Sequence, residues 1–83
     1  MEKLVIHGIY RHYKGDYYIV EDVARHTEND EELVIYRGLY ENAPLWARPK
    51  TMFLSEISPD QCTAGFTQKY RFTLQDIKSV AEH

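Results

Sequence analysis

The chain has 83 residues, with 13 acidic against 10 basic side chains and a formal net charge of −3. One small domain is expected, able to bury only about 60–65% of the surface its unfolded form exposes. The acid excess argues against general DNA or RNA binding, which needs an overall basic field. The single cysteine, Cys62, excludes an intrachain disulfide and a Cys-based zinc site.

In chain order, Val5–Tyr13 reads as a strand rich in β-branched and aromatic residues, ending at Lys14-Gly15-Asp16. The Gly-Asp pair supplies the left-handed backbone that a hairpin turn needs. Tyr17–His26 is its partner, placing Tyr13 near Tyr17 and His12 near Tyr18. A strand this long in a small barrel bends, and Glu21-Asp22 is the place for the bulge. Thr27–Glu32 is an acidic connection, read as a solvated loop rather than a calcium loop, since the EF-hand glycine and closing glutamate are missing.

Leu33–Tyr40 is the third strand. Leu33, Ile35, Arg37 and Leu39 share one face; Val34, Tyr36, Gly38 and Tyr40 share the other. Gly38 inside it marks a bulge or the close approach of another group. Glu41–Pro44 is a turn, and Leu45–Arg48 a short fourth strand stopped by Pro49. Met52, Phe53, Leu54 and Ile57 fit a helical turn plugging one end of a barrel. Gln61–Gln68 reads as a loop and Tyr70–Phe72 as a fifth strand. Thr73 reads as the N-cap of a short amphipathic helix carrying Leu74, Ile77, Val80 and Ala81. The expected core is Ile9, Ile19, Val23, Leu33, Ile35, Leu39, Met52 and Phe53. Short strands with turn signals and no room for crossover helices point to a mainly β fold, a small SH3-like open barrel of about five strands.

The segments Gly8–Gly15, Val23–Thr27, Glu32–Arg37, Leu39-Tyr40, Leu45–Pro49 and Met52-Phe53 resemble DUF1653, a bacterial family of small domains of unknown function. The resemblance runs from Gly8 to about Glu56, leaving 57–83 as a C-terminal extension of the same single domain. It implies an SH3-like barrel and an accessory module appended to other domains. It implies no catalytic residue.

The candidate ligand-binding residues are Tyr10, Arg11, Arg25, Tyr36, Arg37, Trp46 and Arg48. Guanidinium groups on a β-face grip phosphate or carboxylate in bidentate fashion, and aromatic rings offer stacking platforms. Against this stands a plain structural role, with arginine stems packed over rings and paired with Glu21, Asp22, Glu32 or Glu41. His12 and His26 are too far apart along the hairpin for a two-histidine metal site and lack a clear third ligand. No Gly-rich phosphate loop, nucleophile elbow or His-Glu metal motif occurs, so neither catalysis nor a cofactor is expected. No apolar run nears the ~20 residues that span a bilayer, and no secretory signal is read at the start of the chain. The expectation is therefore a cytoplasmic, non-catalytic binding module for an anionic, peptide, protein or nucleotide partner, without membrane association. The alternative is an assembly domain whose aromatics form core or a homo-oligomer interface.

Overall fold

The structure, a computed structural model, describes residues 4–61 and 68–76. Five strands form one antiparallel sheet: β1 (Ile9–His12), β2 (Tyr17–Arg25), β3 (Glu32–Gly38), β4 (Leu45–Pro49) and β5 (Phe72–Leu74). A single helical turn, α1 (Lys50–Phe53), follows β4, and a 3₁₀ turn spans Pro59–Gln61. The strand order is β4-β3-β2-β1-β5, so β1–β4 run as a meander and β5 returns to pair with β1. No pairing joins β4 to β5 among the described residues. This is an open barrel of the SH3-like order, with its seam between those two strands.

The expected first strand is shortened at its start. The Gly8 amide bonds to the Val5 carbonyl (3.0 Å), and a Cβ on Gly8 would stand 2.9 Å from Leu74 Cδ1 and 3.0 Å from the Val5 carbonyl oxygen. Any side chain there would force Leu74 and the Val5 carbonyl to give way. The β1–β2 register pairs Tyr10 with Tyr18 and Arg11 with Tyr17, two residues away from the expected alignment. The reason lies in the turn. The Gly15 amide donates to the His12 carbonyl and the His12 amide to the Asp16 carbonyl, both at 2.8 Å. The result is a three-residue loop closed by Gly15 at φ 107°, a wider connection than a two-residue hairpin turn.

The bulge falls where the sequence places it. Val20 pairs with Tyr36 and Asp22 with Ile35, leaving Glu21 unpaired. The extra residue lets Val20 and Val23, three positions apart, face the same side, because Val23 pairs with Val34.

The core departs from expectation. It consists of Tyr10, Val20, Val34, Tyr36, Phe53 and Phe72, with Leu4, Tyr18 and Leu54 packed against it. In β3 the inward face is Val34, Tyr36 and Gly38, not Leu33, Ile35 and Arg37. Leu39 and Met52 are exposed, and Ile19, Val23, Leu33 and Ile35 are half-buried. Of the expected core, Ile9 and Phe53 are buried. Aromatic geometry explains the choice of face. Phe53 stacks on Phe72 with ring centroids 4.0 Å apart, and Tyr10 and Tyr36 meet Phe53 edge-on at 5.2 and 5.4 Å. Such pairs add about 0.5–1.5 kcal/mol each beyond area burial, more than swapping one aliphatic face for another returns. The Tyr10 hydroxyl, carried inward, accepts the Val5 amide at 3.0 Å.

Thr73 and Leu74 lie in β5, pairing with Arg11 and Tyr10, so Thr73 caps no helix. The rest of the expected helix, Ile77, Val80 and Ala81, lies outside the described residues, as does Cys62.

Candidate functional site

The inner face of the sheet is sealed by aromatic rings at α1 and left uncovered at the other end. Along β4, side chains alternate, and Trp46 pairs with Tyr36 and Arg48 with Val34, so both point toward the inner face. Trp46 is nonetheless 50% exposed. An uncovered indole on the face that elsewhere forms the core marks the mouth of a groove. The groove has a volume of about 370 Å³ and is open to solvent. The β1–β2 turn contributes His12, Lys14 and Asp16; Tyr18 and Tyr36 form its floor; Tyr40, Trp46, Arg48 and Arg71 complete the wall. Gly38 helps to shape it. A Cβ there would run into the Tyr40 ring, so the missing side chain is the seat for Tyr40. This is the close approach that a glycine within a strand signals.

Arg48 on β4 and Arg71 just before β5 both line the groove and are held in the same manner. Arg48 donates through Nε to the Tyr36 hydroxyl at 3.2 Å and lies over the Phe72 ring at 5.8 Å. Arg71 donates through Nε to Ser55 Oγ at 3.2 Å and lies over the Tyr13 ring at 5.7 Å. Each guanidinium is held at its inner nitrogen and supported on a ring. Its terminal nitrogens have no protein partner among the described residues. Lys14, whose Nζ lies over the Tyr13 ring 5.9 Å from its centroid, adds a third positive charge.

Cations elsewhere are paired differently. Arg25 meets Asp30 at 3.4 Å, Lys50 meets Glu32 at 3.5 Å and Lys69 meets Glu56 at 4.0 Å. Arg37 stands 3.2 Å from Glu21, an ion pair by distance although its Nε–H is not aimed at the carboxylate. Among the described residues, none of the groove's three cations lies within ion-pair distance of a carboxylate. Among the described residues, Asp16 is the lone acid lining the groove.

The electrostatics follow. Burial pushes the His12 imidazole down to about 4, helped by the positive charges of Arg48, Lys14 and Arg71 and opposed by Asp16. His12 is therefore neutral at pH 7. Its Nδ1 accepts the Lys14 amide at 3.1 Å, and its ring packs on Tyr13 and Phe72 at 4.4 and 4.8 Å. Burial also raises the Tyr18 phenol, with Asp16, Tyr36 and Tyr40 adding to the effect and Arg48 opposing it. Tyr18 thus keeps its proton and offers a donor to the groove.

Of the seven residues singled out in the sequence, the groove gathers Tyr36, Trp46 and Arg48. The others lie elsewhere. Tyr10 is 1% exposed within the core, because it lies on the sheet face that packs against Phe53, and it offers no platform. Arg11 donates through Nε to Gln68 at 3.1 Å. Arg25 closes the β2–β3 turn by bonding the Asp30 carbonyl, and Arg37 belongs to the outer face with Glu21. Sequence reasoning missed His12, Lys14, Tyr18, Tyr40 and Arg71 as parts of a site. The signal for two of them was present: Gly38 pointed to a close neighbour, which is Tyr40, and Arg71 lies in the Tyr70–Phe72 segment read as the fifth strand.

Residues 8–74 match the family described as "Protein of unknown function (DUF1653)". The chain belongs to the DUF1653 family. The match takes in β5 and every described residue of the groove. A crystal structure of a DUF1653 protein from Bordetella bronchiseptica is 34% identical and superposes with a TM-score of 0.65, covering 83% of this chain and 85% of that one. A 60-residue stretch is 37% identical to part of a protein named NADH-quinone oxidoreductase subunit N from Anoxybacillus flavithermus. That stretch is 72% of this chain but 12% of the relative, so the DUF1653-like part there is a small piece of a much longer protein. Among the described residues, no helix is long and apolar enough to cross a membrane.

Proposed function

We propose that this DUF1653 domain is a non-catalytic binding module that takes an anionic partner in the groove at the barrel seam. The observation that carries the reading is the convergence of Lys14, Arg48 and Arg71 without a carboxylate partner among the described residues, on a chain whose net charge is −3. Like charges held together cost stability unless something offsets them. An anion entering the groove would do so, and it would meet the terminal nitrogens of both arginines.

The titration behaviour of His12 favours binding over acid–base chemistry. A histidine with a pKa of about 4 carries a proton in only about one molecule in a thousand at pH 7. That makes it a poor general acid, and its low basicity makes it a poor general base. The relation to a short stretch of a far longer protein fits a module that rides on other domains. Nothing of that relative's named activity is carried over. A cytoplasmic setting fits a small domain with one cysteine.

The test is an amide NMR titration with nucleotides, short single-stranded RNA and DNA, and acidic and proline-rich peptides. Shifts clustered on His12, Tyr18, Trp46, Arg48 and Arg71 with an anionic ligand are expected, weakening as salt is raised. Shifts confined to other surfaces, or none with any anion, would overturn the reading. A second reading has its own observation: Leu39, Tyr40, Leu45 and Trp46 are all at least half exposed at one end of the sheet. If these form a contact between copies of the chain, the mass in solution will rise with concentration and Trp46 fluorescence will report its burial.

A further inference from the structure

The groove's two arginines and its uncovered aromatics ask for different things from a ligand. Arg48 and Arg71 are each fixed through Nε, to Tyr36 and Ser55, and each lies on an aromatic ring. Among the described residues, the terminal pair of nitrogens on each has no partner. A guanidinium held this way has already given up much of its side-chain freedom, so little is lost when it binds. Two such groups with Lys14 beside them exceed what one carboxylate can neutralise. A phosphate monoester matches better, with nearly two negative charges at neutral pH and three oxygens arranged to accept from several donors. The Tyr18 phenol, which retains its proton, supplies a neutral donor to the same space.

Beside this cationic end stand Trp46, 50% exposed, and Tyr40, 62% exposed. Both line the groove. Half-uncovered rings at the mouth of a charged cleft are stacking surfaces for a flat ligand group, and base–aromatic stacking contributes about 1–3 kcal/mol per base. At about 370 Å³, the groove lies near the lower end of small-ligand sites, roughly 300–1,000 Å³. It holds one nucleotide unit rather than a run of them. The chain's net charge of −3 also disfavours tracking a polyanionic strand.

We infer that the groove is a site for a single nucleotide carrying a phosphate monoester, with the phosphate between Arg48 and Arg71 and the base against Trp46. This rests on the anion-binding reading above and narrows it to one ligand class.

The experiment compares four probes by NMR titration and calorimetry on the intact chain: adenosine 5′-monophosphate, adenosine, inorganic phosphate and an acidic hexapeptide. The nucleotide is expected to bind at least ten-fold more tightly than adenosine or phosphate alone. Arg48→Lys, which keeps the charge and loses the fork, should weaken the nucleotide by ten-fold or more. Trp46→Leu, at a half-exposed position on an edge strand, should reduce nucleotide affinity to that of phosphate. If the nucleotide binds no better than phosphate, the base subsite does not exist and the inference fails. If the hexapeptide shifts the groove and the nucleotide does not, the inference fails while the anion-binding reading stands. Silence from the groove toward all three anions removes both. A 5′-phosphorylated decanucleotide binding ten-fold more tightly than the mononucleotide would replace the free-nucleotide assignment with a strand-end one.

Discussion

Lowering the pH should destabilise this domain through His12, and the size of the effect can be worked from its surroundings. The folded-state pKa of about 4 lies below the ordinary 6.5 because the ring is partly desolvated and faces Arg48, Lys14 and Arg71, with Asp16 the one opposing charge. Between those values the unfolded chain binds a proton that the folded chain does not. The contribution is therefore fully present above pH 6.5 and is lost progressively as the pH falls toward 4. A gap of about 2.5 pH units has a ceiling of ~3.4 kcal/mol at 1.36 kcal/mol per unit. The ring is only half buried and its cationic neighbours face solvent, so screening reduces this to about 1.5 kcal/mol. The comparison is urea unfolding at pH 7, 5.5 and 4 for the wild type and for His12→Asn, whose side-chain oxygen can still accept the Lys14 amide. The variant cancels the loss from the carboxylates common to both. The wild type should lose about 1.5 kcal/mol more than the variant, or roughly 6–12 °C in melting temperature for a domain of this size. Equal losses would refute the argument, as would a His12 ring proton that titrates near 6.5 in the folded protein.

Four further outcomes rest on the same geometry. Gly15→Ala should cost about 1 kcal/mol or more in chemical denaturation, because φ 107° is strained for any side chain; Gly38→Ala, whose three nearest atoms all belong to the exposed Tyr40 ring, should cost less than that. Phe72→Ala removes the 4.0 Å stack on Phe53 and the edge contacts to Tyr36 and His12 and should cost about 3–5 kcal/mol, enough to leave much of the protein unfolded by circular dichroism at 25 °C. Arg25→Ala, whose partner Asp30 is largely solvent-exposed, should change stability by no more than about 0.5 kcal/mol in the same denaturation assay.

The strands were legible because each is bounded by a turn with a local cause. Gly15, the acidic run at Thr27–Glu32 and Pro44 mark three of the boundaries, and the bulge at Glu21 was legible from the length of Tyr17–His26, too long to run straight in a small barrel. Which face of β3 turns inward was not legible. Leu33 and Ile35 on one side and Val34 and Tyr36 on the other are equally apolar, and the decision rests on rings contributed by α1 and β5. The same holds for the groove. Arg48, Trp46 and Tyr36 stood out by residue type, and cross-strand pairing of β3 with β4 brings them together. Tyr10 and Arg37 have the same chemistry but lose it to burial in the core and to the outer face. Arg71 and His12 enter only because β5 closes back on β1, a long-range contact that no local pattern announces.

The concentration of unpaired charge at one end of the barrel is itself an argument for binding. Arg25, Arg37, Lys50 and Lys69 all stand within 4.0 Å of a carboxylate, on a chain with acids to spare. At the seam the chain does the opposite: three cations surround a histidine whose pKa they help to depress. A local conflict of this kind costs stability in the free protein, and such conflicts gather where a ligand resolves them. Lys14→Gln separates the two effects. Lys14 is exposed on the β1–β2 turn and has no ion-pair partner among the described residues. Removing its charge should leave the free domain equally stable or a few tenths of a kcal/mol more so, and should move the His12 pKa upward. It should also weaken anion binding in the groove. A purely structural role for the cluster predicts the reverse: a loss of stability in Lys14→Gln with unchanged anion affinity would show that the charges serve the fold.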